Sequence, residues 1–210
     1  MNVLKNFFVF EGCDGAGTTT QLDLLKKRFK SDTSVSFTAT CEPTGSEIGK
    51  LIRHYLSGKI KAHHDSLAFL FAADRNEHLF GNEGIVNKTQ NGSLVVCDRY
   101  VLSSLVYQGL VCGEELPAKL NENFPVPQVL IFFDIDSVAA EKRMKDRASK
   151  EIFEFLEFQQ KARSRYKELL NKFKQAGSAV YIIDASKSIK AIEQEVWDII
   201  SKQIPNLTLM

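Results

Sequence analysis

The chain has 210 residues, 44% of them hydrophobic and 25% charged, with five prolines and twelve glycines, the composition of one folded globular domain over residues 1–210. Lys plus Arg number 27 against 26 for Asp plus Glu, a net charge of +1 that gives no support to nucleic acid or an anionic membrane surface as partner. Cys13, Cys41, Cys97 and Cys112 make no CxxC pair, which argues against zinc and redox motifs, and no apolar run approaches the roughly 20 residues that span a bilayer.

Residues 7–11 (FFVFE) are a continuous apolar run, suited to a central parallel strand rather than to a signal peptide, and cytoplasm is the default compartment. A glycine-rich turn follows, and then TTTQLDLLKKRF puts Leu22, Leu25 and Phe29 on one helical face. A second strand is predicted at 35–41 and a helix at 48–56; a longer helix at about 65–80 carries Leu67, Leu70, Phe71 and Leu79 with Asp74 and Arg75. A buried strand at 93–97 ends on Asp98-Arg99, and a helix starts near Ser103. Residues 112–128 hold three of the five prolines and read mostly as surface turns, with room for one helical turn, before a strand at 129–134. Helices are predicted at 137–147 and 151–175 and a last strand at 179–184; the closing helix has Ile189, Ile192, Val196 and Ile199/Ile200 as its core face. Five apolar strands separated by helices give an α/β fold with a parallel sheet covered on both faces.

The sharpest motif is Gly12-Cys13-Asp14-Gly15-Ala16-Gly17-Thr18-Thr19-Thr20. It meets the phosphate-loop (P-loop) pattern of G, four residues, G, Lys and a hydroxyl residue, except that Thr18 stands at the lysine. Its glycines let backbone N–H groups turn around a polyphosphate, and the following helix aims its free N–H groups at the same anion. Thr19 is placed to give its hydroxyl to the magnesium of a bound nucleotide. A threonine supplies no positive charge, so either another cation replaces the lysine or phosphoryl transfer is slow or absent. The candidates are Arg99, Arg143, Arg147 and Lys150.

Asp98-Arg99-Tyr100 closes a buried strand, where parallel sheets place ligands: there Asp98 can hold magnesium, directly or through water, and Arg99 clamp a phosphate, the alternative being an ordinary solvated strand end. Glu42 ends the neighbouring strand in the same way. Asp134 and Asp136 follow a third strand and either join that crevice or cap the next helix. Phe71 and Arg75 share a helix face, which on spacing alone reads as a core ring beside a surface arginine. Tyr107 and Gln108 offer a flat ring and an amide. The basic residues between Lys142 and Lys150 are either a solvated helix face or a lid over phosphates, at about 143–155. His54, His63, His64 and His78 match no metal-ligand spacing.

Taken in order, FFVFEGCDGAG, CEPTGSEIGKLIR, LAFLFAADRNEH, DRYVLSSLVYQG and IIDAS resemble the thymidylate kinase family over nearly the whole chain. The resemblance implies a five-stranded parallel sheet with a short lid, a homodimer formed through the FAADR helix, and transfer of the γ-phosphate of Mg-ATP to dTMP. It places Asp14 at the acceptor's sugar hydroxyl, Phe71 on the thymine ring, and Arg75 and Ser104 on its polar edge. Ser103, Tyr107 and Gln108 fall along the acceptor pocket. Glu42, Asp98 and Arg99 fall between the Mg2+ and the acceptor phosphate and Ala185 and Ser186 near the donor adenine, while Arg99, Arg143, Arg147 and Lys150 are the candidates to restore the missing charge at the donor phosphates, Arg147 first among them. Thr18, Cys41 and Thr44 depart from the family pattern at a lysine, an arginine and a glycine, and the lid is irregular after Arg147. Two readings compete with an active dTMP kinase: a kinase for another pyrimidine nucleoside monophosphate, and a catalytically weak nucleotide-binding regulator.

Overall fold

The computed structural model describes residues 2–32, 35–144, 152–153 and 155–204. Five strands, β1 (Val3–Gly12), β2 (Phe37–Cys41), β3 (Leu94–Asp98), β4 (Val126–Asp134) and β5 (Ala179–Asp184), form one parallel sheet in the order β2-β3-β1-β4-β5. The helices are α1 (Thr18–Asp32), α2 (Glu47–Leu56), α3 (His64–Phe80), α4 (Ile85–Gln90), α5 (Val101–Cys112), α6 (Glu115–Asn121), α7 (Ser137–Met144), α8 (Leu156–Gln175) and α9 (Ile189–Gln203). The α/β reading therefore holds, with all five predicted strands present.

Side chains alternate across a strand, so the apolar run of β1 feeds two cores. Phe7 and Val9 join Leu67, Leu79, Leu102, Val106 and Tyr166 on the face covered by α3, α5 and α8. Phe8 and Phe10 join Leu22, Leu25, Phe29, Ile192, Val196 and Trp197 beneath α1 and α9. Phe10, Phe132 and Phe133 are fully buried, each worth roughly 1.5–3 kcal/mol of transfer free energy. In-register pairing of Cys41 with Asp98 and of Asp134 with Asp184 aligns the carboxyl ends of neighbouring strands at one rim. In such sheets that rim is where ligands collect.

Several boundaries differ from expectation. Residues 112–128 are not mainly turns: they hold the two-turn helix α6 and the start of β4 at Val126. Pro117 lies in the first turn of α6, where its missing N–H costs nothing. Pro127 enters β4 opposite Leu4, beside a register shift in β1 at which Asn6 adopts φ 59°. The short helix α4 buries Ile85 and Thr89 four apart, too brief a pattern to stand out in the sequence. The helix expected from 151 starts at Leu156: Ile152 and Phe153 lie in a turn, the Ile152 N–H donating to Leu56 O at 3.1 Å. The helix expected over 137–147 is α7 as far as Met144; residues 145–147 lie outside the described residues. In α9, Ile189 is exposed rather than core, and Trp197 takes the interior place.

Thr44, at the position of an expected glycine, has a structural use. Asp74 accepts from the Thr44 N–H at 2.7 Å, the Thr44 hydroxyl at 2.6 Å and the Ser46 hydroxyl at 2.9 Å. Ser46 in turn caps α2 by accepting from the Gly49 N–H at 3.0 Å. A Cβ at Gly49 would lie 2.0 Å from Thr44 O, so the close turn over α2 requires glycine there.

Candidate active site

A cavity of about 710 Å3 opens at the carboxyl rim of the sheet. Residues Cys13 to Gln21, the glycine loop and the first turn of α1, form one wall without a break. Gly12 sits behind this wall; a Cβ there would be 2.9 Å from Ala16 Cβ and 3.1 Å from Phe133 O. Gly15 and Gly17 have φ of 81° and 90°, where side chains are disfavoured. A Cβ at Gly15 would also lie 2.8 Å from the Ala140 carbonyl of α7. Cys13 is buried, which pushes its thiol up to about 12 and leaves it protonated and unreactive at neutral pH.

Thr19 and Asp98 meet, the hydroxyl donating to Asp98 Oδ2 at 2.6 Å. Asp98 Oδ1 is buried with no hydrogen-bond partner. A buried carboxylate oxygen left without a donor costs free energy unless a cation or water completes it. An all-oxygen pair of this kind fits a hard divalent ion. Next along the chain, Arg99 has φ 70°, uncommon for a residue with a side chain, and its N–H bonds to Phe10 O at 2.8 Å. That backbone turn sends the guanidinium back over the loop, where Nη2 contacts Asp14 Oδ1 at 2.5 Å.

Glu11, at the end of β1, has no exposed surface. It accepts from the N–H groups of Tyr100 and Ser103 at 3.0 and 3.1 Å, the Ser103 hydroxyl at 2.6 Å and the Tyr166 hydroxyl at 3.2 Å. It thus ties the loop strand to the start of α5 and to α8. Burial raises its pKa to about 7, with the Ser103 bonds and Arg99 opposing the rise. Ser103 lies on the cavity wall, although Glu11 and Tyr166 occupy its hydroxyl.

Across the cavity, Arg75 is fully buried, against the surface position that its helical spacing suggests. Its Nε donates to Glu42 Oε2 at 2.9 Å, Nη1 to Asn121 Oδ1 at 2.5 Å and Nη2 to Ser104 Oγ at 3.0 Å. Glu42 is therefore spent on Arg75 and on His78, whose Nδ1 is 3.1 Å from Oε1. Glu42, His78 and Cys97 are close enough to hold an ion, but these bonds already account for both carboxylate oxygens. Phe71, Arg75, Ser104, Tyr107 and Gln108 all line the cavity. A half-buried ring with a fixed cation, a hydroxyl and an amide suits a flat heterocycle with polar edges.

Asp14 faces the cavity between two partners. Arg99 holds Oδ1, and Gln159 Nε2 donates to Oδ2 at 2.7 Å. Tyr107, buried, has its hydroxyl 3.4 Å from Gln159 Oε1 and the Arg99 guanidinium 5.2 Å from its ring centre.

The other end of the cavity is lined by Arg143, Met144, Lys187, Ser188, Ile189 and Ile192. Ala185 and Ser186 are not on this wall. Ala185 is buried with its N–H on Asp134 O, and Ser186 folds back on Asp184, so the wall is formed one step later, where Ser188 caps α9. Asp134 takes Arg163 at 2.6 Å and Lys167 at 2.7 Å, while Asp136 caps α7 through the N–H groups of Val138 and Ala139. Those two carboxylates are therefore structural. Arg147 and Lys150 lie outside the described residues. The cavity wall thus gathers Cys13, Asp14, Gly15, Ala16, Gly17, Thr18, Thr19, Thr20, Glu42, Arg99 and Arg143 from the predicted set, with Asp98 directly behind Thr19.

A sequence profile described as thymidylate kinase matches residues 10–196. The chain belongs to the thymidylate kinase family. A protein of Treponema pallidum is 41% identical over 199 residues, 93% of this chain and 95% of its own length. Proteins of Methanococcus aeolicus and Methanococcus maripaludis are 39% and 38% identical, over 92% and 97% of this chain and 94% and 99% of theirs. All three are provisionally named thymidylate kinases.

Against this family frame, sequence reasoning missed five residues that shape the site. Arg53 lines the cavity, its guanidinium donating to the carbonyls of Pro43 and Thr44. Lys187 lines the far end, bonded to Glu195 at 2.8 Å. Asn121, Glu11 and Gln159 hold Arg75, the start of α5 and Asp14. A charged residue closing an apolar strand was a legible sign for Glu11; nothing local marks the other four.

Proposed function

We propose that the chain transfers the γ-phosphoryl group of ATP to dTMP, giving dTDP and ADP. The observation that carries this reading is one cavity joining an amide-lined phosphate loop to a base-sized pocket of Phe71, Arg75 and Ser104. In-line transfer needs the two phosphates side by side with their charge neutralised, and dTMP is already ionised, so no general base is required. Phe71 stacks on thymine, Arg75 and Ser104 bond its polar edge, and Gln108 and Tyr107 fill the sugar side. Arg99 and Arg53 clamp the acceptor phosphate, Arg53 supplying the charge that Cys41 lacks in the same segment.

The loop amides, Thr18, Thr19 and Thr20 cradle the donor phosphates. When bound, Mg2+ neutralises those phosphates, and Thr19 and Asp98 are the residues that would hold it. Arg143, which has no hydrogen-bond or ion-pair partner among the described residues, takes the role of the absent loop lysine, and Arg147, outside the described residues, is the second candidate for it. The donor base lies against Lys187, Ser188 and Ile192, beyond Ala185 and Ser186.

Among the described residues no helix is long and apolar enough to cross a membrane. The chain acts as a single domain in the cytoplasm. Leu51 of α2 and Phe69 of α3 are exposed and support a homodimer through that face. A coupled assay with Mg-ATP and dTMP, dUMP or dCMP tests the function. Turnover of dTMP above the other two is expected, and tight binding of both nucleotides without turnover would leave a regulatory protein instead.

A further inference from the structure

We infer that Gln159 is a positioning residue: it fixes the Asp14 carboxylate for an acceptor sugar hydroxyl and links that carboxylate to the chain leaving the lid region. The inference rests on the cavity accepting a nucleoside monophosphate, as proposed above.

Gln159 stands in the first turns of α8 and is 2% exposed. Its amide uses both ends. Nε2 donates to Asp14 Oδ2 at 2.7 Å and to Phe153 O at 2.8 Å. Oε1 accepts from the Asp14 N–H at 3.2 Å and stands 3.4 Å from the Tyr107 hydroxyl. Two acceptors on one side and two donors on the other fix which way the amide faces. A buried amide this fully matched is costly to replace with an apolar group, because each partner then loses its bond.

The chemistry of Asp14 gives the arrangement a purpose. Arg99 offsets the charge of the Asp14 carboxylate on the wall of a cavity that collects phosphates, and the lone pairs left over suit a ligand group that donates. The family resemblance puts the acceptor's sugar hydroxyl at Asp14, and with the base held at Phe71 and Arg75 that hydroxyl is a donor left for the carboxylate. Arg99 occupies one carboxylate oxygen and Gln159 the other, and each oxygen keeps a lone pair for a ligand. Neither partner alone fixes the plane of the carboxylate; the pair does. Phe153 extends the linkage, because its ring stacks on Phe158 at 4.9 Å and lies 6.0 Å from Tyr107. The same amide therefore bonds the phosphate loop, the acceptor helix and the segment that precedes α8.

The test uses the full chain with Gln159→Met, which keeps the side-chain length and removes the amide, and Gln159→Glu, which keeps the volume and one acceptor. Calorimetry measures affinity for dTMP and for 3′-deoxythymidine 5′-monophosphate, which lacks the hydroxyl, and thermal unfolding monitors the fold. For Gln159→Met we expect dTMP affinity to fall about tenfold while the 3′-deoxy compound changes less than about twofold, the loss being that of one charge-assisted bond. Gln159→Glu should lose at least as much selectivity, by facing Asp14 with a like charge. Equal loss for both ligands, or no loss for either, overturns the inference. Because affinity is read without turnover, a wild-type chain that binds dTMP but does not phosphorylate it defeats the functional reading, while the affinity ratio still decides the role of Gln159.

Discussion

Glu42 and Arg75 meet in a buried ion pair, Nη2 to Oε2 at 2.7 Å, with side chains 2% and 1% exposed. Asn121 and Ser104 take further guanidinium hydrogens, so the arginine enters the base pocket already fixed in direction.

Removing one member of such a pair leaves a buried charge without compensation. Glu42→Ala should therefore cost about 3–5 kcal/mol of stability, read by urea unfolding. The double variant Glu42→Ala with Arg75→Ala should cost less than the sum of the two singles, because the second change removes the stranded charge. Additive costs would show that the pair is not coupled.

Thr18 lines the cavity at the position of a lysine, and Arg143 lines its far end. If Arg143 already supplies that charge, Thr18→Lys should change kcat by less than about tenfold, whereas Arg143→Ala should lower it at least about tenfold with dTMP affinity nearly unchanged. A hundredfold gain from Thr18→Lys, in steady-state assays, would defeat the compensation.

Asp98 Oδ1 has no partner, and Oδ2 orients Thr19. Asp98→Asn should lower the apparent affinity for Mg2+, or the turnover, by about 10–100-fold, the usual effect of losing a residue that orders a metal site. Chelation should abolish turnover and added Mg2+ restore it. An unchanged magnesium titration curve for Asp98→Asn would remove Asp98 from that role.

Glu11 titrates at about 7 when folded, against 4.5 for the free side chain. Between those values the folded chain holds a proton that the unfolded chain has released. The contribution of Glu11 to stability is thus full below about pH 4.5 and is lost as pH rises through about 7. Glu11→Gln cannot ionise, so its unfolding midpoint relative to wild type should climb from pH 5 to about 7 and then level off. A difference independent of pH would mean that Glu11 is ionised throughout.

Much of this architecture was written locally. FFVFE followed by a glycine loop and then by Leu22, Leu25 and Phe29 changes period from a buried strand to a helix within a few residues, and the structure follows it. Prolines hid α6 and the first residues of β4, because Pro117 and Pro127 look like breakers until the first helical turn and a strand irregularity excuse them. The inward course of Arg75 was illegible for a different reason: its partners Glu42, Ser104 and Asn121 come from three other segments, and a cation on a helix ordinarily faces water. Gln159 carries no local mark at all. Its amide finds Asp14 across 145 positions of chain, and only the packed fold brings them together.

Gly15 lies so close to the Ala140 carbonyl that no side chain fits between them. The glycine loop and the helix bearing Arg143 are consequently in main-chain contact, which sets where the root of that arginine stands beside the cavity. On the proposed reading, a glycine at position 15 is what lets that helix approach closely enough for a loop ending in threonine to borrow a cation from its neighbour.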